Sequence, residues 1–280
     1  MLEQHEFSAP ERAAELWSSP GGGLFLESVD LETDRSLTTS RIVDLAVAAV
    51  SALSPWRTDH AQTISRALAA GRRLRPLAHT LVANSTVQWM WSRIDKSAQV
   101  WIQPSEGASF PEPGEQLFDT RDSAFTEYAQ KPSRSTMTST LVNGISAHHR
   151  ALEVGATDWN LNYRAQSRRV EISTSARIRE ISNGTDWLET VTRFPAQCAD
   201  RPREDGDPWL PNNGLRLDWD NVAQEYDGIH ITLWAYLTAT QVRLSSQSGW
   251  TEPWAWEGEE TTWLNYCFSR VEEPTPVDLG

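Results

Sequence analysis

The chain has 280 residues, a formal net charge of −13, 39% hydrophobic residues and 15 each of Gly and Pro. This length supports a sizeable core without disulfide or metal staples, and the composition excludes a collagen-like or wholly disordered chain. Its longest apolar run, Leu45 to Val50, falls far short of the roughly 18 residues a membrane span needs, and the acidity disfavours nucleic acid and anionic membranes as partners.

The first 35 residues read as poorly structured. The N-terminus, MLEQHEFSAPE, lacks both a basic region and an apolar stretch, so no secretory signal is visible and a cytoplasmic protein is expected. Cys198 and Cys267 have neither a disulfide framework nor a metal spacing, and read as free thiols in a reducing compartment. The run Ser18-Ser19-Pro20-Gly21-Gly22-Gly23 breaks regular structure, and Leu24-Phe25-Leu26 is a short strand candidate.

Residues 36–103 form a helical N-terminal portion. Ser36 to Leu53 predicts a helix capped by Ser40, with Ile42, Leu45, Ala46, Ala49 and Leu53 on one face. A second helix runs from Thr58 to Arg73 with Ile64 and Leu68 inward, and Pro76 starts a short third. Gln99 to Ile102 then reads as a strand, and the Pro-rich residues 104–116 as a loop.

An α+β body is expected over 117–268. It opens with a helix from Asp119 to Ala129, followed by strands at Thr136–Val142, Arg169–Ile172 and Arg177–Ile181. A helix capped by Thr185 or Asp186 runs to Arg193, and residues 199–214 form a polar loop. A helix at Asp218–Tyr226 leads into the strand Gly228–Leu233, where Ile229 and Ile231 face one way and His230 the other. Thr261–Phe268 is the last strand, and 269–280 reads as a tail. The fold class is therefore α+β: a helical front on a mostly antiparallel β-sheet.

Charge is unevenly spread. Residues 131–179 carry eight cations against three anions, and residues 201–280 five against fourteen. Either the two blocks face each other across the fold, or arginines such as Arg134, Arg164, Arg168 and Arg169 hold a phosphate-bearing ligand.

Three segments could carry chemistry. In Trp256-Glu257-Gly258-Glu259-Glu260, Glu257 and Glu259 project to one side of an extended segment and Glu260 to the other. Two such carboxylates can stabilise an oxocarbenium-like centre and prepare a nucleophile, and Trp254, Trp256 and Trp263 would give them apolar walls. The hydroxyl run Thr138-Ser139-Thr140 is either a solvated face or a strand that orders a nucleotide and the catalytic carboxylate. In Tyr226-Asp227-Gly228-Ile229-His230, a turn launches the strand that bears His230. His148 and His149 are adjacent and cannot pair as i, i+4 ligands, and no zinc, Rossmann, P-loop or nucleophile-elbow motif is present, so no metal is expected. Most of the fourteen Trp are expected in the core, with a minority free to stack on a flat ligand.

Taken in order, Thr138-Ser139-Thr140, Tyr226-Asp227-Gly228-Ile229 and Glu257-Gly258-Glu259 resemble the ADP-ribosyltransferase superfamily over residues 85–268. The resemblance implies a split sheet, NAD as substrate and transfer of ADP-ribose to an acceptor or to water. It makes Glu259 the catalytic glutamate on the nicotinamide ribose and Glu257 the residue that orients the acceptor. It matches Thr138 to the first serine of the hydroxyl motif and offers Arg93 for the early-strand Arg or His. Thr138, Ser139, Thr140, Arg93, Arg134 and His230 are then the nucleotide-binding candidates. Residues 177–268 also resemble actinobacterial proteins to which no role is assigned. Two other classes remain open: a non-catalytic binding, immunity or regulatory protein with an acidic face, and a biosynthetic enzyme with a Trp-rich pocket.

Overall fold

The computed structural model describes residues 7–30, 37–54, 58–104, 110–115, 117–119, 134–158, 164–196, 214–253, 256 and 258–278. The front is helical from its first described turn. Helix α1 (Ala9–Ser18) begins with a capping box in which Ser8 N donates to the Glu11 carboxylate at 2.7 Å. Helix α2 (Pro20–Asp30) follows at once. Both lie where loose structure and a strand were expected, and the glycine triplet explains the difference. A Cβ on Gly21 would stand 2.2 Å from Leu237 O, one on Gly22 2.0 Å from Leu16 O, and one on Gly23 2.0 Å from Ala67 O. These glycines let backbones of neighbouring helices touch, and the burial gained outweighs their low helix propensity.

Helix α3 (Thr39–Ser51) buries the predicted face, but Thr38 caps it rather than Ser40, accepting from Arg41 N at 3.3 Å. Helix α4 (His60–Arg73) buries Thr63, Ala67, Ala70 and Gly71, a face of small residues that admits α2, while Ile64 and Leu68 are only partly covered. Helix α5 (Arg75–Val82) carries Pro76 in its first turn, where a missing N–H costs nothing. A 3₁₀ turn (Ser85–Trp91) brings Trp89 and Met90 toward the sheet.

The strands are β1 (Gln99–Pro104), β2 (Phe118–Asp119), β3 (Arg134–Thr140), β4 (Arg164–Ile172), β5 (Ile178–Ile181), β6 (Gly228–Ile231), β7 (Leu244–Ser246), β8 (Gly249–Thr251), β9 (Glu260–Trp263), β10 (Phe268–Val271) and β11 (Thr275–Asp278). The main sheet runs β10-β4-β1-β3-β9-β6-β5, with β11 also on β4 and β2 on β3. Its pairings are antiparallel except β5 with β6. Strands β7 and β8 form a separate hairpin. The expected helical front on a mostly antiparallel α+β body is thus the observed architecture.

Helix α6 (Ala147–Asp158) follows β3, helix α7 (Gly184–Arg193) follows β5, and helices α8 (Trp219–Glu225) and α9 (Leu233–Ala239) flank β6. Asn183 caps α7 by accepting from Asp186 N, so neither Thr185 nor Asp186 is the cap. The main core runs from the front through α9, where every residue is buried, to Ile229, Ile231 and Trp187. A second core gathers Trp101, Phe110, Val170, Trp263 and Phe268.

The expected tail, 269–280, instead supplies most of β10 and all of β11 up to Asp278. Pro276 is tolerated in β11 because an edge strand can turn its donor-free nitrogen outward. The expected helix at 119–129 and loop at 199–214 fall, beyond Asp119 and Gly214, on residues outside the described ones.

Candidate active site

Strand register assembles a buried polar cluster. Glu180 on β5 stands abreast of His230 on β6, and His230 is opposite Thr261 on β9. Glu259 precedes β9 after a turn at Gly258, whose φ of +79° suits glycine. A Cβ at Gly258 would also lie 2.7 Å from Ala147 O, so this turn packs directly on the start of α6.

Four donors converge on the Glu259 carboxylate. Oε1 accepts from Thr140 Oγ1 at 2.6 Å and contacts His230 Nε2 at 2.8 Å. Oε2 accepts from Ser139 Oγ at 2.5 Å and from Thr140 N at 2.8 Å. The other imidazole nitrogen, Nδ1, lies 2.5 Å from Glu180 Oε2. Burial alone would lower the His230 pKa, but the carboxylates of Glu180 and Glu259 outweigh it and raise the value to about 10. Burial would raise the Glu259 pKa, yet His230, Ser139 and Thr140 together hold it below the usual carboxylate range. The cluster therefore presents an ionised Glu259 against an imidazolium.

Glu259 lies on the wall of a cleft of about 270 Å³, together with Trp89, Arg93, Asp95, Thr140, Asn143 and Leu233. Glu259, Thr140 of the hydroxyl strand and Arg93 share this cleft, and Arg93 comes from the segment before β1 and not from a strand. Ser139 and Thr140 bond Glu259 directly. Thr138 does not: its hydroxyl donates to Gln99 Oε1 at 2.6 Å and accepts from Trp263 Nε1 at 2.9 Å. His230 does not line the cleft; it holds Glu259 from behind.

Among the described residues, the expected wall of Trp256 and Trp263 is not found. Trp263 belongs to the second core, and Trp256 packs edge-on against Trp187 at 5.2 Å. Trp89 takes that place in the cleft. Glu257 and Trp254 lie outside the described residues, as does the side chain of Arg134. Glu260 is fully buried, with His148 Nδ1 3.7 Å from its carboxylate, and so does not behave as a solvated neighbour of the site.

The basic block does not converge on the cleft among the described side chains. Arg177 pairs with Asp227 at 3.0 Å, Arg179 with Glu189 at 3.1 Å, and Arg168 donates to Glu272 O at 3.4 Å. Arg169 reaches a different cleft, of about 310 Å³, with His149, Glu272 and Glu273. Pairing between the two charge blocks thus accounts for Arg177 with Asp227, whereas Arg168 meets only a backbone carbonyl of the acidic block. The Arg164 side chain is outside the described residues, and so is Cys198. Cys267 is half-buried, and burial pushes its thiol up to about 12. Among the described residues no group of three His, Cys, Asp or Glu side chains is placed to hold a metal. In the Glu180–His230–Glu259 line the ring stands between the carboxylates, so they do not converge on one point. No described helix is long and apolar enough to cross a membrane.

Sequence reasoning missed Glu180, Gln99, Asp95 and Trp89. A Glu inside the short buried strand Ile178-Arg179-Glu180-Ile181 was the available signal, since a buried carboxylate needs a partner.

No protein-family model matches the chain, and neither a curated protein nor a solved structure matches it.

Proposed function

We propose that this cleft cleaves an N-glycosidic bond, with NAD as substrate, as a transferase or glycohydrolase like the ADP-ribosyltransferases. The observation that carries the reading is the placement of an ionised Glu259 on the cleft wall with Arg93, held by both Ser139 and Thr140. A carboxylate fixed in this way stabilises positive charge that develops on a ribose ring, without reorganising during the reaction. The bond from ribose C1′ to the nicotinamide nitrogen breaks, and its electron pair leaves with neutral nicotinamide. An acceptor oxygen, from water or a second substrate, then bonds to C1′ and releases its proton. Arg93 provides a cation for a phosphate, and Trp89 a flat apolar surface for a ring. A volume of about 270 Å³ sits near the lower limit for ligand sites and suits the nicotinamide–ribose end of the dinucleotide.

A second reading rests on a different observation. Four protein donors already occupy the Glu259 carboxylate, about as many as a carboxylate accepts. In a non-catalytic binding protein the same cluster would serve to anchor β9 between β3 and β6. Nicotinamide release from NAD by the full chain separates the two. The transferase reading expects turnover that falls on the order of 10²-fold or more in Glu259→Gln. A wild-type protein that neither binds nor cleaves NAD would rule that reading out and favour the binding protein.

A further inference from the structure

Two chains of hydrogen bonds leave Glu259, and they meet again. Along one, Glu259 contacts His230 Nε2, His230 Nδ1 contacts Glu180 Oε2, and Glu180 Oε1 accepts from Ile94 N at 3.2 Å. Along the other, Thr140 Oγ1 donates to Glu259 and accepts from Gln99 Nε2 at 2.8 Å. Gln99 Nε2 gives its second proton to Asp95 O at 2.9 Å. Ile94 and Asp95 are neighbours, so the two chains close into a ring. Donors and acceptors agree around it: the amide nitrogen of Gln99 spends both protons, and the Thr140 hydroxyl gives one bond and receives one. Gln99 and His230 are buried at about 1% exposure, so water does not compete for these bonds.

We infer that Glu180, His230 and Gln99 are positioning residues, which hold the segment bearing Arg93 and Asp95 at a fixed offset from Glu259. The inference rests on the reading of the cleft as the functional site. Arg93 is exposed and lies two residues beyond the end of the 3₁₀ turn. The fixed points next to it are the Ile94 amide and the Asp95 carbonyl, one on each arm of the ring. Glu259 enters from the far end of the sheet sequence, 119 residues beyond Thr140. The ring is what relates the cation to the carboxylate across that separation.

The charged groups facing the imidazole are Glu180 from β5 and Glu259 ahead of β9. The 92–95 segment, bonded to Glu180 through Ile94 N, carries the exposed Arg93 and Asp95. Glu260 and its partner His148 lie on the opposite face of β9, by alternation along the strand. Glu180→Gln keeps an acceptor for Ile94 N but turns a donor toward His230 Nδ1, which weakens the hold on the second ring proton without shortening the circuit. Gln99→Met is close in shape and opens the other arm.

The test uses the full chain with labelled histidine nitrogens. His230 is expected to carry protons on both nitrogens at pH 7 in the wild type, and in Glu180→Gln to lose the second at a pH lower by about one unit or more. Amide exchange at Ile94, which does not touch Gln99, is expected to quicken on the order of tenfold in Gln99→Met as the segment loosens. A neutral His230 at pH 7 in the wild type, or an Ile94 exchange rate unchanged by Gln99→Met, overturns the inference. NAD kinetics form a separate arm. Displacing Arg93 from Glu259 raises KM for NAD in Gln99→Met, whereas a plain folding defect lowers kcat alone. Wild-type protein without NAD turnover would end the transferase reading, while the histidine titration and the amide exchange would still decide whether the ring positions the segment.

Discussion

The helical front and the middle of the sheet are both buried, but they are held by opposite means. In the front, Gly21, Gly22 and Gly23 bring backbone against backbone, and specificity is steric. Around β3, β6 and β9, the interior is filled by Ser139, Glu180, His230 and Glu259, with the half-buried Thr140 at the cleft, and specificity comes from matched donors and acceptors. A protein can fill space with carbon at little risk. Burying two carboxylates and an imidazole is costly unless every partner is present. The polar middle is therefore where a function is to be sought, and the steric front is what supports it.

The largest effect is expected from the front. Gly23→Ala puts a Cβ 2.0 Å from the Ala67 carbonyl, and should destabilise by about 3 kcal/mol, the upper end of the usual range for overfilled interiors. Because no charge is involved, urea unfolding should give the same loss at pH 6 and pH 9. A pH-dependent loss would blur the contrast between the two regions.

Glu259→Gln should cost about 2 kcal/mol of stability, since an amide cannot accept all four bonds, beside the loss of NAD turnover that the transferase proposal expects. A carboxylate on an open strand face could be exchanged without a change in melting; one buried under four donors cannot. The pH response has a defined sign. The pKa of His230 is raised, so its contribution is complete below about 6.5 and fades as pH climbs toward about 10. That of Glu259 is depressed, so its contribution holds above about 4.5 and fades on acidification. Urea midpoints across that range should show both limbs in the wild type, while His230→Gln should lose the alkaline limb and keep a weakened acid one, since Ser139 and Thr140 still hold Glu259. Glu260→Gln, which alternation alone would suggest as a silent control, alters a fully buried carboxylate beside His148 and should destabilise too.

One ionisable group in the front sharpens the comparison. Glu15 accepts from Trp234 Nε1 at 2.9 Å, and burial lifts its pKa to about 7 despite that bond and nearby Arg12. Raised in the folded state, it favours folding below about pH 4.5 and loses that advantage as pH passes 7. Glu15→Gln keeps an acceptor for Trp234, so it should stabilise by about 1 kcal/mol at pH 8 and change little at pH 4, as read by thermal melts. The smallest effect is expected at the surface. Arg270 is mostly exposed and only grazes Glu171 and Glu272, so Arg270→Ala should shift stability by no more than about 0.5 kcal/mol.

Much of this is legible in the sequence, for reasons that differ by residue. The face of α3 follows the helical period, and Ile229, His230 and Ile231 follow the strand period. Thr138 to Thr140 and Glu259 stand out because hydroxyls and carboxylates flank apolar strands. The glycine triplet misleads because sequence reports its backbone freedom and hides the Leu237 and Ala67 carbonyls that need the space. Glu180 escapes notice because a parallel neighbour fifty residues away leaves no local mark. Thr138 and Thr140 have the same chemistry, and only the register against Gln99 and Glu259 separates their partners.

The place of β9 has a consequence for how the molecule matures. It is among the last strands in the chain, yet it lies in the interior of the sheet, between β3 and β6. Until it inserts, the body consists of two half-sheets with open edges facing each other, the kind of edge that recruits foreign strands. The closing step joins residues more than a hundred positions apart, which belongs to the slow end of folding. The same step delivers Glu259, so an incompletely folded chain is adhesive and its cleft lacks this carboxylate. The carboxylate reaches the cleft only when the sheet becomes continuous.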